Sequence, residues 1–131
     1  MTPRCPSLPK IPVVSIVDDD ESVRFSIAAL VRSLGHVAHA FASAEDFLAS
    51  SEASATDCLV ADIQMPGMSG IELQKRLATT GNRVPMIFVT AFSEDHISKQ
   101  VLAGGAIGLL SKPYDGDTLV NFIETALASP A

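Results

Sequence analysis

The run Val13-Val14-Ser15-Ile16-Val17, followed at once by Asp18-Asp19-Asp20, decides the fold. A short, almost wholly apolar run without alternation suits a strand buried on both faces, as in a parallel sheet covered by helices. The arrangement recurs: Cys58-Leu59-Val60-Ala61 ends at Asp62, Met86-Ile87-Phe88-Val89 ends at Thr90, and Ile107-Gly108-Leu109-Leu110-Ser111 ends at Lys112. In open α/β sheets, ligands bind in the crevice outside the carboxyl ends of the strands, so polar residues gathered there are candidate site residues. Carboxylates brought together would repel by roughly 4 kcal/mol per pair at about 4 Å and an effective dielectric near 20, and need a compensating cation. Mg²⁺ suits that place, because it takes oxygen ligands and is usually held by one or two carboxylates with substrate phosphate.

Helical periodicity fills the intervals. Val23, Ile27, Leu30, Val31 and Leu34 predict a first helix ended by Gly35, with Asp20 as its cap and Glu21 as a favourable first-turn charge. Val37 to Phe41 reads as a second strand, and Ser43 with Asp46 opens a helix through Phe47 and Leu48. Ser69-Gly70-Ile71-Glu72 is another capping box, before Leu73 and Leu77. Ser93 is the expected cap of a helix bearing Ile97, Val101 and Leu102, and Asp115 or Asp117 starts a last one with Leu119, Phe122, Ile123 and Leu127. Five β-α units predict a single-domain doubly wound (βα)5 parallel sheet in the order 2-1-3-4-5. Residues 1–11, with three prolines, are expected to be a flexible tail, 12–128 the domain and 129–131 a C-terminal tail.

Composition narrows the function. A chain of 131 residues, 47% of them hydrophobic, holds one domain with a real core. A formal net charge of −6 without any Lys/Arg run argues against direct nucleic-acid binding. No apolar run approaches the ~18 residues of a membrane span, and Cys5 and Cys58 make no disulfide framework, so a cytoplasmic protein is expected. His36, His39 and His96 match no metal-ligand cluster.

Taken in order, Ile16-Val17-Asp18-Asp19-Asp20, Ser43-Ala44-Glu45-Asp46-Phe47-Leu48, Asp62-Ile63-Gln64-Met65-Pro66-Gly67-Met68-Ser69-Gly70-Ile71-Glu72-Leu73, Val89-Thr90-Ala91 and Lys112-Pro113 resemble the receiver domain of two-component response regulators, in its FixJ-like branch. The resemblance runs from about Pro12 to Leu127 and implies a flavodoxin-like, CheY-like fold. It implies a phosphorylation-dependent switch whose phosphoacceptor is Asp62, fed by a sensor histidine kinase or phosphotransfer protein. Asp19 would ligate Mg²⁺ directly and Asp18 through water, with Asp62 and the backbone carbonyl of Gln64 completing the protein ligands. Lys112 would neutralise phosphoryl charge and Thr90 would donate its hydroxyl to the attached group, with the small Ala91 leaving the approach open. Such a protein is no conventional enzyme, since it catalyses only its own aspartyl phosphorylation and dephosphorylation. The resemblance further implies a cis Lys112-Pro113 bond and a phosphorylation-dependent homodimer through the fourth helix and fifth strand, the region of Ile97, Val101 and Leu109.

Two positions depart from the family. Leu109 stands where Tyr or Phe commonly partners the hydroxyl residue Thr90 in the switch, so a smaller response is expected. Gly104-Gly105-Ala106 replaces the more usual Ala-Gly-Ala, which is expected to loosen the end of the fourth helix. The chain reads as a stand-alone receiver, with the receiver half of a FixJ-like transcription regulator as the alternative. A haloacid-dehalogenase-like phosphatase is a further reading, on Asp18-Asp19-Asp20, but it leaves Asp62 and the Met-Pro-Gly loop unexplained. A receiver fold kept only as a binding module is another, disfavoured by the complete acidic pocket.

Overall fold

The computed structural model describes residues 11–91, 95–112 and 114–128. Strands and helices alternate: β1 (Val13–Val17), α1 (Glu21–Ser33), β2 (Val37–Phe41), α2 (Ala44–Ala49), β3 (Cys58–Asp62), α3 (Gly70–Thr79), β4 (Met86–Thr90), α4 (Asp95–Ala103), β5 (Gly108–Ser111) and α5 (Gly116–Ala128). The strands form one sheet in the order β2-β1-β3-β4-β5, and each neighbouring pair is parallel. The predicted fold class and strand order are therefore what the chain adopts.

Alternation along each strand divides the core into two layers. Val14, Ile16, Cys58, Val60, Ile87, Val89 and Leu110 face α1 and α5, meeting Ile27, Val31, Leu119 and Ile123. Val17, Leu59, Ala61, Met86 and Phe88 face the other way, onto Phe47 of α2, Leu73 and Leu77 of α3 and Val101 of α4. Fully burying each Val, Leu, Ile, Phe or Met side chain among them contributes roughly 1.5–3 kcal/mol, which is what holds helices on both faces of the sheet.

The caps lie where the sequence puts them. Asp20 accepts from the backbone N–H of Ser22 at 2.9 Å, and Gly35, with φ +89°, follows the end of α1. Ser43 accepts from Asp46 N–H at 3.0 Å. Ser69 and Glu72 form the reciprocal capping box, at 3.2 and 2.9 Å. Asp115 accepts from Asp117 N–H at 3.3 Å before α5. The predicted Ser93 cap, the Lys112-Pro113 bond, Cys5, residues 1–10 of the N-terminal tail and the tail 129–131 lie outside the described residues. A 3-10 turn at Ser51–Ala53 was not predicted; its Ser- and Ala-rich sequence carries no periodicity.

One expectation changes. Val101 is fully buried, so it packs the core beneath α4 and presents no surface to a partner, while Ile97 and Leu109 are partly exposed. Gly104, just past the end of α4, has a close neighbour. The buried Gln74 side chain of α3 occupies the space where a Cβ at Gly104 would stand and donates to the Val101 carbonyl at 3.0 Å, tying the helix end to its neighbour. A side chain at Gly104 would have to displace that amide.

Candidate functional site

The order of the sheet reverses between β1 and β3, which leave in opposite directions from adjacent positions; this is the switch point where open α/β sheets bind ligands. β1 delivers Asp18 and Asp19 to this point, and β3 delivers Asp62. Carboxylate oxygens of the three lie within 4.8 Å of one another, the one such grouping of potential metal-ligating side chains among the described residues.

Asp18 is locked. Its Oδ1 accepts from Asp20 N–H at 2.9 Å, its Oδ2 from the Lys112 ammonium at 3.2 Å, and its backbone carbonyl from Arg24 Nη1 of α1 at 2.8 Å. Asp62, also buried, has Oδ2 at 3.5 Å from Lys112 Nζ and Oδ1 accepting from Gln64 N–H at 3.3 Å. Asp19 is exposed, at the mouth. Lys112 is aimed by its backbone, whose N–H donates to the Thr90 carbonyl at 2.8 Å, placing the end of β5 beside the end of β4. Thr90 itself is fully buried.

These placements set the charges. Burial pushes the Asp62 carboxyl above its ordinary value, Asp18 pushes it further, and Lys112 and the Gln64 N–H offset only part of that. Burial also acts to lower the Lys112 pKa, but Asp18 and Asp62 outweigh it and the ammonium ends more firmly protonated than usual. Lys112 thus pairs with two of the three carboxylates, while the Arg24 guanidinium bonds the Asp18 backbone carbonyl. Oxygens around one Mg²⁺ ion stand about 2.9 Å apart when adjacent and about 4.2 Å when opposite, so three carboxylates gathered within 4.8 Å suit such an ion with one of them held through water.

The approach to the site is closely built. A side chain at Gly70, the first residue of α3, would collide with the Asp62 backbone carbonyl, so only glycine lets that helix start against the strand end. A hollow of about 280 Å³ lined by Ser22, Val23, Ser26, Lys112 and Tyr114 opens beside the lysine. A larger one, of about 460 Å³, lies at the opposite end of the sheet around Pro12, Asp57 and Arg83, away from the carboxylates. The potential metal-ligating side chains gather at the carboxylate cluster rather than at the larger hollow. His36 is remote from it, with Nε2 3.5 Å from Glu124 Oε2. The sequence places Asp18, Asp19, Asp62, Thr90 and Lys112 at the same end of the sheet, as observed, and assigns no role to Arg24 or to Glu45, whose contacts have no local signature.

Comparison with known proteins agrees with this geometry. The family model for the response regulator receiver domain matches residues 14–124. The chain belongs to that family. This receiver domain is 37% identical over 115 residues to the response regulator protein TmoT of Ectopseudomonas mendocina, covering 88% of the chain and 52% of TmoT. Among solved structures it superposes on the response regulator StyR with a TM-score of 0.83 at 39% identity, covering 90% of this chain and 60% of that one. It superposes on FixJ-N with a TM-score of 0.83 at 31% identity, covering 94% and 98%. The chain thus spans about half the length of the curated relatives it matches. It is a receiver domain of two-component signalling, a class that interacts with histidine kinases or phosphotransfer proteins. No helix among the described residues is long and apolar enough to cross a membrane.

Proposed function

We propose that this receiver domain takes a phosphoryl group onto Asp62 from a phosphohistidine, with Mg²⁺ bound by Asp19, Asp62 and the Gln64 backbone carbonyl and, through water, by Asp18. The observation that carries the reading is the convergence of Asp18 and Asp62 on Lys112, at 3.2 and 3.5 Å, at the switch point of the sheet. An Asp62 oxygen attacks phosphorus; the new O–P bond forms as the P–N bond breaks, and the imidazole leaves with the electron pair. Lys112, already within ion-pair distance of Asp62, neutralises charge on the phosphoryl oxygens. Bound Mg²⁺ would supply further neutralisation and relieve the repulsion among the carboxylates. Thr90, at the end of the adjacent strand, donates its hydroxyl to the attached group, and Leu109 follows it with a smaller displacement than an aromatic ring would make.

Asp18 is held more tightly than Asp62, whose contacts to a backbone N–H and to Lys112 are longer, at 3.3 and 3.5 Å. Asp18 is spoken for by a backbone N–H and by Lys112, which suits a water-mediated ligand and counter-charge. The sheet order and the family remove the support for a haloacid-dehalogenase reading with Asp18 as nucleophile. In a protein as long as the relatives, this domain would regulate an output segment.

Acetyl phosphate with Mg²⁺ tests the proposal. Intact-mass spectrometry should show one phosphoryl group on the wild type and none on Asp62→Asn. Undiminished acyl phosphate on the variant would sink the assignment.

A further inference from the structure

The loop between β3 and α3 presents Gln64 and is gripped from two sides. On the inner side Ile63 and Met65 are buried in the apolar layer that also holds Ala44 and Phe47 of α2. On the outer side, Glu45 from the first turn of α2 reaches across, and its Oε2 accepts the backbone N–H of Met68 at 3.1 Å. The same oxygen stands 2.7 Å from where a Cβ at Gly67 would be, and Gly67 has φ +78°, so the carboxylate fills the space that the absent side chain leaves. Glu45 is itself held, because Ser43 caps α2 through Asp46 N–H and fixes the turn from which it projects. At the loop's far end Gly70 N–H donates to the Ile63 carbonyl at 2.9 Å.

We propose that Glu45 is a positioning residue for the metal site: through Met68 it holds the loop in the shape that presents the Gln64 carbonyl to Mg²⁺. This rests on the ligand set proposed above. The physical ground is that one carbonyl oxygen in a loop can serve a metal with strict geometric demands only if the loop is pre-set. Any freedom in the loop is entropy lost on binding. Glutamate has the length to cross from α2, and its charge strengthens the bond to the N–H. Glutamine keeps the oxygen acceptor without the charge, and alanine keeps neither.

Mg²⁺ affinity by titration calorimetry and exchange of the Met68 amide by NMR in metal-free protein separate these roles. Glu45→Ala should weaken Mg²⁺ binding about three- to tenfold, as loss of one modest hydrogen bond would, and should speed Met68 exchange. Glu45→Gln should stay within about twofold of wild type in affinity, having kept the acceptor. Asp46→Asn, which removes a charge from the same helical turn, should leave both readouts at their wild-type values. Wild-type affinity in Glu45→Ala, unchanged Met68 exchange, or Glu45→Gln as weak as Glu45→Ala would each overturn the positioning role while the ligand set stands. A wild-type protein that binds no Mg²⁺ would overturn both together.

Discussion

Replacing Asp62 by asparagine should make the metal-free domain more stable at neutral pH, although it removes the residue proposed to carry the phosphoryl group. The magnitude follows from the site. Lys112, 3.5 Å away, attracts the Asp62 charge by about 4.7 kcal/mol at an effective dielectric of 20. Asp18, with an oxygen within 4.8 Å, repels it by at least about 3.5 kcal/mol, and exposed Asp19 adds a smaller, solvent-screened push. The pairwise terms nearly cancel, so the desolvation of a buried carboxylate decides the sign, which agrees with burial as the largest cause of its raised pKa. The expected gain is on the order of 1 kcal/mol, or about 3–6 °C in Tm for a domain of this size. Because the folded pKa of Asp62 lies above the unfolded one, its contribution is fully favourable below the ordinary aspartate value and is lost as pH rises through the folded pKa. The gap between variant and wild type should therefore be near zero in acid, open across that window and be complete at neutral pH. Urea unfolding in EDTA across a pH series measures it. An asparagine variant no more stable than wild type at pH 7, or a gap independent of pH, would refute the reasoning.

Asp19→Ala should abolish the Mg²⁺-induced rise in melting temperature while Asp20→Ala keeps it, the latter losing about 1 kcal/mol as the cap of α1; equal Mg²⁺ shifts in wild type and Asp19→Ala would contradict the ligand assignment. Gly104→Ala should cost about 1 kcal/mol by forcing the Gln74 amide off the Val101 carbonyl, and should cost almost nothing once Gln74 is alanine; denaturant unfolding of the four proteins of that cycle checks the coupling. Leu109→Phe should increase dimerisation in beryllofluoride over that of wild type, since leucine lacks a ring to swing. Sedimentation showing a tight wild-type dimer formed only with the mimic would show that leucine suffices.

The strands, most helix ends and the main charged residues were legible because each depends on neighbours in sequence. Apolar runs without alternation marked buried parallel strands, and Asp20, Ser43 and Ser69 marked helix starts by bonds spanning two or three residues. Strand-end positions then gathered Asp18, Asp62 and Lys112 once the sheet order was fixed. What escaped depends on register between distant segments. The Glu45 to Met68 bond spans 23 residues and the Gln74 to Val101 bond 27, and neither glutamate nor glutamine announces a partner so far away. Gly104 taken alone signals only backbone freedom, and the Gln74 amide set against it shows only in the fold. Val101 fits the apolar pattern equally as core or as surface anchor, and only the packing of α4 on the sheet separates the two.

Cys58 opens β3, the strand that ends in Asp62; it is fully buried and burial pushes its thiol pKa up to about 12. Thiolate is the species that alkylating reagents attack, so this sulfur is doubly shielded while the sheet is intact. With Cys5 changed to serine, the chain would carry a single built-in clock. Its rate of labelling counts the openings of the central sheet, and ligands that settle at the far end of the same strand should slow it in proportion to how tightly they bind.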